Sequence, residues 1–137
     1  MHMMLYDAHT HLHEFLDSRI AEFVKEIVVA AVSDDYPSSR RTIDLSGNYE
    51  NIVPCVGIHP PWNVDKVGLD ELRQVEKLLP EAKCIGEVGL DRRFVPQTFN
   101  RQVEFFQLSL VGLGIMTYRL IFMLRMLGGM FLRWLGG

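Results

Sequence analysis

The chain has 137 residues, 48% of them hydrophobic, and a formal net charge of −3. That length is typical of one domain with a substantial core, and the slightly acidic balance does not indicate a whole surface suited to polyanion binding. The N-terminus lacks a cationic segment followed by an apolar one, and Cys55 and Cys84 have neither metal-ligand nor redox spacing. We therefore expect a cytoplasmic protein with reduced thiols.

Strand-like and helix-like segments alternate along the first 110 residues. In chain order, the predicted elements are a strand at 3–8, a helix at 15–26, a strand at 27–32, a short helix at 37–45 that stops at Gly47 and Asn48, a strand at 52–58, a helix at 69–79, a strand at 83–90, and a helix from Thr98 through Leu110. Four such units predict an α/β parallel sheet. Periodicity leaves open whether the sheet is a (β/α)8-type barrel or an open doubly wound one.

The composition changes abruptly after Glu104. All 17 acidic residues lie at or before this position, whereas residues 105–137 carry three arginines, 21 apolar residues and six glycines. We therefore divide the chain into residues 1–111, a regular α/β region, and residues 112–137, an atypical tail rich in Gly, Met and Leu.

The opening stretch "YDAHTHLHEF" concentrates three histidines and two acids. Side chains alternate across a strand, so Asp7, His9 and His11 project to one face if the strand extends that far. Two such imidazoles can both reach one divalent ion. We expect His13 to lie further into the loop, exposed to solvent, and His2 to belong to a disordered terminus.

The fourth predicted strand contains a lone acid, Glu87, in the run "GEVGLD". A buried carboxylate needs a cation or a strong hydrogen-bond partner, and flanking glycines permit close approach at a crowded site. The alternatives are an exposed glutamate on an edge strand, or one paired with Arg92 or Arg93.

Two further polar residues follow strands. His59 comes after the third strand in "GIHPP", and Asp91 ends the fourth. Functional groups gather at the C-terminal ends of parallel strands, so we expect His59 to contact a metal ligand or the substrate. Asp91 could do the same or cap its loop. Arg92 and Arg93 could face an anionic substrate.

With "DAHTHL", "GIHP" and "GEVGLD" in this order, residues 7–110 resemble the N-terminal half of a TatD-type metal-dependent deoxyribonuclease, a family of amidohydrolase-like TIM barrels. The resemblance implies that His9 and His11 bind one divalent ion and that Glu87 is a catalytic carboxylate bridging it to a second. It also implies that the ions are Mg²⁺, Mn²⁺ or Zn²⁺, and that a metal-activated water attacks a DNA phosphodiester.

The sequence departs from the family pattern after its fourth helix. The family carries two histidines on later strands and a late aspartate, but this chain has no histidine after His59 and no acid after Glu104. A complete barrel takes about 250 residues. The resemblance therefore implies an incomplete barrel of four to five β/α units, an incomplete second metal site and impaired activity. Uncovered strand edges would favour self-association.

Three interpretations of the tail remain open, of which we favour a frameshifted or truncated product from about residue 112. The others are an interfacial amphipathic segment too short to span a bilayer, or a fifth strand at 118–124 followed by a terminal helix. Two rival functions also remain: a related barrel hydrolysing amide rings or phosphate monoesters, and a non-catalytic binding or scaffold module.

Overall fold

The computed structural model describes residues 3–115 and 119–125, in which five strands form one parallel sheet. The strands are β1 (Leu5–Thr10), β2 (Ile27–Ala31), β3 (Ile52–Val56), β4 (Cys84–Asp91) and β5 (Arg119–Arg125). They lie side by side in chain order, and every neighbouring pair is parallel. A doubly wound sheet reverses its strand order at a switch point, and these five strands do not. Of the two predicted architectures, the structure therefore has the barrel-type winding.

Helices connect the consecutive strands, as parallel crossovers require. The α-helices are α1 (Asp17–Phe23), α2 (Tyr36–Asn48), α3 (Pro60–Asn63), α4 (Leu69–Glu76) and α5 (Phe99–Ile115), with 3₁₀ turns at Leu12–Glu14, Leu79–Glu81 and Pro96–Thr98. Asp35 caps α2: its carboxylate accepts the Ser38 N–H, and the Ser38 hydroxyl accepts the Asp35 N–H. This reciprocal capping fixes where the chain turns from β2 into α2.

Several predicted boundaries were wrong by a few residues. Strand β1 begins and ends two residues later than predicted, which places His9 inside the strand. Helix α1 is shorter than predicted at both ends. Helix α2 continues through Gly47 and Asn48, the predicted stop, and ends where Tyr49 becomes extended at φ −137°. The exposed glycine has nothing within 4 Å of where a Cβ would lie, so packing does not oppose the helical conformation there.

The main core lies between the sheet and helices α2, α4 and α5. Every residue of β4 is buried, as expected for an inner strand covered on both faces. The core includes Val56, Leu72, Val75, Ile85, Val88, Phe105 and Phe106. Arg101 ties α5 to the segment before α4, because its guanidinium donates to the Val64 and Val67 carbonyl oxygens and lies over the Phe105 ring.

Strand β1 forms an edge of the sheet and exposes large apolar side chains. Within the strand Tyr6 is 78% exposed and Leu5 51%, and Met3, two residues before it, is 83% exposed. An exposed apolar edge is a template for pairing with another chain, so self-association stays a prediction.

Cys55 and Cys84 correct the expectation of two reduced, separate thiols. They are 29 residues apart in sequence, but β3 and β4 are neighbours, and the register places the two cysteines directly opposite each other. Their Cα atoms are 4.4 Å apart, and the structure joins them by a disulfide.

The tail is described only in part. The predicted strand at 118–124 corresponds to β5, one residue later at each end. Residues 126–137, with the predicted terminal helix, and His2 lie outside the described residues. The frameshift interpretation stays a prediction. None of the helices in the described ranges is long and apolar enough to cross a membrane.

Candidate metal centre

Polar side chains from four successive strands meet at the end of the sheet where these parallel strands have their C-termini. His9 lies near the C-terminal end of β1 and His11 just after it, Asp34 follows β2, His59 follows β3, and Glu87 lies within β4. Parallel strands present their C-terminal ends on the same side of a barrel, where active sites of this architecture form. The topology thus brings together residues that are up to 78 positions apart.

Glu87 is the centre of this cluster, with 2% of its surface exposed. Its Oε1 atom lies 2.9 Å from His9 Nε2 and 2.8 Å from His11 Nε2. Its Oε2 atom lies 3.2 Å from His59 Nε2. Three imidazoles therefore surround one buried carboxylate.

The two alternatives for Glu87 do not describe this environment. The residue lies in a strand paired on both sides, so it is not an exposed side chain on an edge. The two arginines of the loop stack on aromatic rings instead: Arg92 lies 5.3 Å from the Phe99 ring centroid, and Arg93 lies 5.3 Å from that of Phe94. Both arginines are exposed, and their contact with an anionic substrate stays a prediction.

Asp34 is the member of the cluster that the sequence analysis missed. Its Oδ1 lies 3.2 Å from His11 Nδ1, and its Oδ2 lies 3.1 Å from His13 Nε2. The available signal was its position: it follows β2 as His59 follows β3. The prediction that His13 is exposed was wrong, because the 3₁₀ turn buries Leu12 and directs the His13 side chain, 11% exposed, toward Asp34.

Burial and charge set the protonation of these groups. Burial disfavours the charged form of Asp34, but the His13 hydrogen bond and the neighbouring imidazoles outweigh it and lower the Asp34 pKa. Burial alone would lower the His13 pKa, yet the Asp34 carboxylate raises it above its ordinary value. Burial lowers the pKa of His59 despite the attraction of Glu87. At neutral pH the site therefore offers an ionised Asp34 and a neutral His59.

The backbone holds these side chains in place. The Ser33 N–H donates to the Gly86 carbonyl at 3.0 Å, and the Glu87 N–H donates to the Ser33 carbonyl at 2.8 Å. The His59 N–H donates to the Asp34 carbonyl at 2.7 Å. A Cβ on Gly57 would lie 2.8 Å from the Glu87 nitrogen, so only glycine allows this approach of β3 to β4.

Asp91 and Asp7, the other two acids that the sequence suggested as site residues, accept hydrogen bonds from nearby backbone N–H groups. The Asp91 carboxylate accepts the N–H groups of Arg93 and Phe94, both at 3.0 Å, which is the loop-capping alternative. Asp7 accepts the His9 N–H at 3.0 Å, and this hydrogen bond lowers the Asp7 pKa. Neither acid belongs to a cluster of potential metal ligands among the described residues.

The donor atoms fit a divalent ion. Three overlapping groups have ligand atoms within 4.8 Å of one another: His9–His11–Glu87, Asp34–His59–Glu87 and His11–His13–Glu14–Asp34. Ligands about 2.1 Å from a tetrahedral ion lie about 3.4 Å apart. Glu87 Oε1 lies 2.8 and 2.9 Å from the two imidazole nitrogens, which is somewhat closer than this ligand–ligand distance. The imidazole nitrogens would have to move away from the oxygen by several tenths of an ångström to admit an ion. Imidazole and carboxylate are ligands that Zn²⁺ and Mn²⁺ accept.

Comparison with known proteins agrees with this architecture. The chain is 32% identical over 116 residues to the uncharacterized metal-dependent hydrolase YcfH of Escherichia coli K12, and over 115 residues to the uncharacterized metal-dependent hydrolase YabD of Bacillus subtilis. Each alignment covers 76% of this chain but only 43% and 44% of the relative. The chain therefore spans less than half the length of these relatives.

A solved structure and a family model extend the comparison. The crystal structure of YJJV, a TatD homologue from Escherichia coli K12, superposes with a TM-score of 0.79 at 21% identity, covering 93% of this chain and 53% of that one. This confirms the predicted incomplete TIM-barrel-type fold. The family described as TatD related DNase matches residues 6–111. With a barrel-type sheet and a buried glutamate among histidines, the chain belongs to the TatD-related DNase family.

Proposed function

We propose that this chain is a metal-dependent hydrolase that cleaves DNA phosphodiester bonds. The observation that carries the proposal is the buried Glu87 carboxylate, whose Oε1 is approached by His9 Nε2 and His11 Nε2 at 2.9 and 2.8 Å. His9 hydrogen-bonds to this carboxylate and His11 pairs with it, although Glu87 is buried inside an otherwise apolar strand. A divalent ion would satisfy all three groups.

In this proposal His9, His11 and Glu87 would hold the ion. A bound divalent ion supplies a water molecule of lowered pKa and stabilises charge on phosphate oxygens. The protein residues fix the position of that centre. Asp34 Oδ1 lies 3.2 Å from Nδ1, the other ring nitrogen of His11, where a carboxylate orients a metal-binding imidazole.

DNA as substrate is supported by the family alone. No basic patch dominates the surface of the described residues. The phosphodiester would approach the C-terminal end of the strands, where the imidazoles lie. Arg92 and Arg93 follow β4 at the same end and are exposed. We expect them to contribute to phosphate binding through charge. A cytoplasmic location stays a prediction.

Of the ligand set that the family resemblance implies, residues 1–137 supply His9, His11 and Glu87, and we expect slow turnover by these residues alone. The test is cleavage of labelled DNA with added Mg²⁺ or Mn²⁺, comparing the parent with His9→Ala and with Asp44→Asn, an exposed acid on α2. Metal-dependent cleavage by the parent and Asp44→Asn, but not by His9→Ala, supports the proposal. Equal product from the parent and His9→Ala, including none from either, contradicts hydrolysis at this site.

The missing later ligands favour one second candidate, a metal-binding module without catalysis. Such a module would bind the ion and retain DNA without cleaving it. Related barrels acting on phosphate monoesters or amide rings form a third class. Parallel assays with a phosphate monoester and a cyclic amide separate that class from a phosphodiesterase.

A further inference from the structure

We propose that the chain binds a second divalent cation between Asp34, His59 and Glu87, adjacent to the ion held by His9 and His11. This inference rests on the proposed function, because Glu87 is common to both sites. It differs from the ligand set that the family resemblance implies, which takes its second pair of histidines from later strands. Here Asp34 and His59, from the ends of β2 and β3, would take that role.

The two oxygens of Glu87 face different sets of donors. Oε1 faces the imidazoles of His9 and His11, whereas Oε2 faces His59 Nε2 at 3.2 Å. One ligand atom each from Asp34, His59 and Glu87 lies within 4.8 Å of the others. A carboxylate that presents one oxygen to each of two donor sets is arranged to bridge two ions, which lie about 3.5–4 Å apart in two-metal hydrolases.

Two carboxylate oxygens at this position lack hydrogen bonds. Glu87 Oε2 and Asp34 Oδ1 are both inaccessible to solvent; each lies 3.2 Å from an imidazole nitrogen, but neither contact has hydrogen-bond geometry. Glu87 is 98% buried, so an oxygen without a hydrogen bond there is costly. A cation between the two oxygens would remove that cost.

The three residues are joined by their own backbones. The His59 N–H donates to the Asp34 carbonyl at 2.7 Å, and Asn63 Nδ2 donates to the same oxygen at 2.9 Å. The Glu87 N–H donates to the Ser33 carbonyl at 2.8 Å, one residue before Asp34. Because these contacts involve main chain, the donor atoms are held near one another before an ion arrives, which lowers the cost of ordering them.

A cavity lies beside the proposed site. Its volume is about 320 Å³, and His11, Glu14, Asp34, His59 and Asn63 line it. The space can hold the water molecules needed to complete the coordination of an ion with three protein ligands. One nitrogen and two carboxylate oxygens suit Mn²⁺, Zn²⁺ or Mg²⁺.

Asp34 also lies near His11 and His13, so it could instead serve only to orient those rings. The two roles predict different metal counts. If Asp34 only orients His11, removing His59 leaves the number of bound ions unchanged. If Asp34 and His59 bind a second ion, removing either one reduces that number by one.

The test is equilibrium dialysis of the full chain against Mn²⁺, with metal analysis of the protein compartment. We expect two ions in the parent and in Asp44→Asn, one in His59→Gln and one in Asp34→Asn. Circular dichroism verifies the fold of each variant. Electron paramagnetic resonance of the Mn²⁺-loaded parent is an independent measurement, in which two bridged ions give a coupled spectrum and isolated ions give six lines.

The outcomes separate this inference from the proposed function. No ion bound to the folded parent overturns both. One ion in the parent that persists in His59→Gln and Asp34→Asn but is lost in His9→Ala overturns the second site and leaves the first. Two ions that persist in both variants, or two ions without spectral coupling in the parent, also overturn the second site.

Discussion

Replacing Gly57 by alanine tests the close approach that positions Glu87. A Cβ at this position would overlap the Glu87 carbonyl oxygen and lie 2.8 Å from both the Glu87 nitrogen and the Gly86 carbonyl carbon. All three are backbone atoms of β4, so no side-chain rotation can relieve the contacts. The two strands must separate, or the strand segment that carries Glu87 must move.

The size of the effect follows from the missing space. Non-bonded carbon and nitrogen atoms rest about 3.5 Å apart, so the contact with the Glu87 nitrogen is short by about 0.7 Å, and the contact with the Glu87 oxygen is tighter still. Overpacking of this kind costs about 1–3 kcal/mol, and backbone contact places Gly57→Ala at the upper end of that range. For a domain of this size, each kcal/mol lowers Tm by about 3–5 °C.

The assay is thermal and urea unfolding of the metal-free protein, with Gly47→Ala as the matched control. Gly47 lies in α2, is exposed, and has open space where the new Cβ would be. Its replacement should stabilise the protein by about 0.5–1 kcal/mol through helix propensity. The same Gly→Ala change is thus expected to lower the free energy of unfolding at position 57 and to raise it at position 47. Equal stability of Gly57→Ala and the parent would refute the packing argument.

Three other predictions use separate measurements. Arg101→Lys loses the forked hydrogen bonds and ring stacking, so urea unfolding should show a loss of about 1–2 kcal/mol; no loss would contradict that role. In metal-free protein the His13–Asp34 pair stabilises most between about pH 4 and 6.5, because the Asp34 pKa is lowered and the His13 pKa is raised. The deficit of His13→Gln in urea unfolding should shrink as pH rises through the His13 pKa; a growing deficit would refute the assignment. Thiol titration of unreduced, denatured protein should find Cys55 and Cys84 oxidised, and two reactive thiols would contradict the disulfide.

Much of the fold was predictable because buried strands are continuous apolar runs. "IVVAAV" and "IVPCVGI" give β2 and β3 within two residues. The C-terminal end of β1 was harder to predict from the sequence, because His9 and Thr10 are polar. They belong to the strand through its pairing with β2, in which Thr10 lies opposite Ala31. Periodicity records side-chain burial and contains no information on such pairing.

The candidate site was predictable only where a residue conflicts with its local sequence. Glu87 is an acid in an apolar strand, so it was identified. Asp34 was not, because acids after strands are common in loops, and only its proximity to His11 and His13 distinguishes it. The pairing of Cys55 with Cys84 was hidden for the same reason, since it depends on the adjacency of β3 and β4.

Calorimetric titration with Mn²⁺ of Glu87→Gln, beside the parent, tests most directly whether this buried carboxylate binds metal. Asp91→Asn is the matched control, because Asp91 is another carboxylate of β4 with 2% exposure, but it caps a loop. We predict Mn²⁺ binding to the parent and to Asp91→Asn, and a loss of at least 100-fold in affinity for Glu87→Gln. Equal affinities for the parent and Glu87→Gln would contradict a metal centre built on this residue.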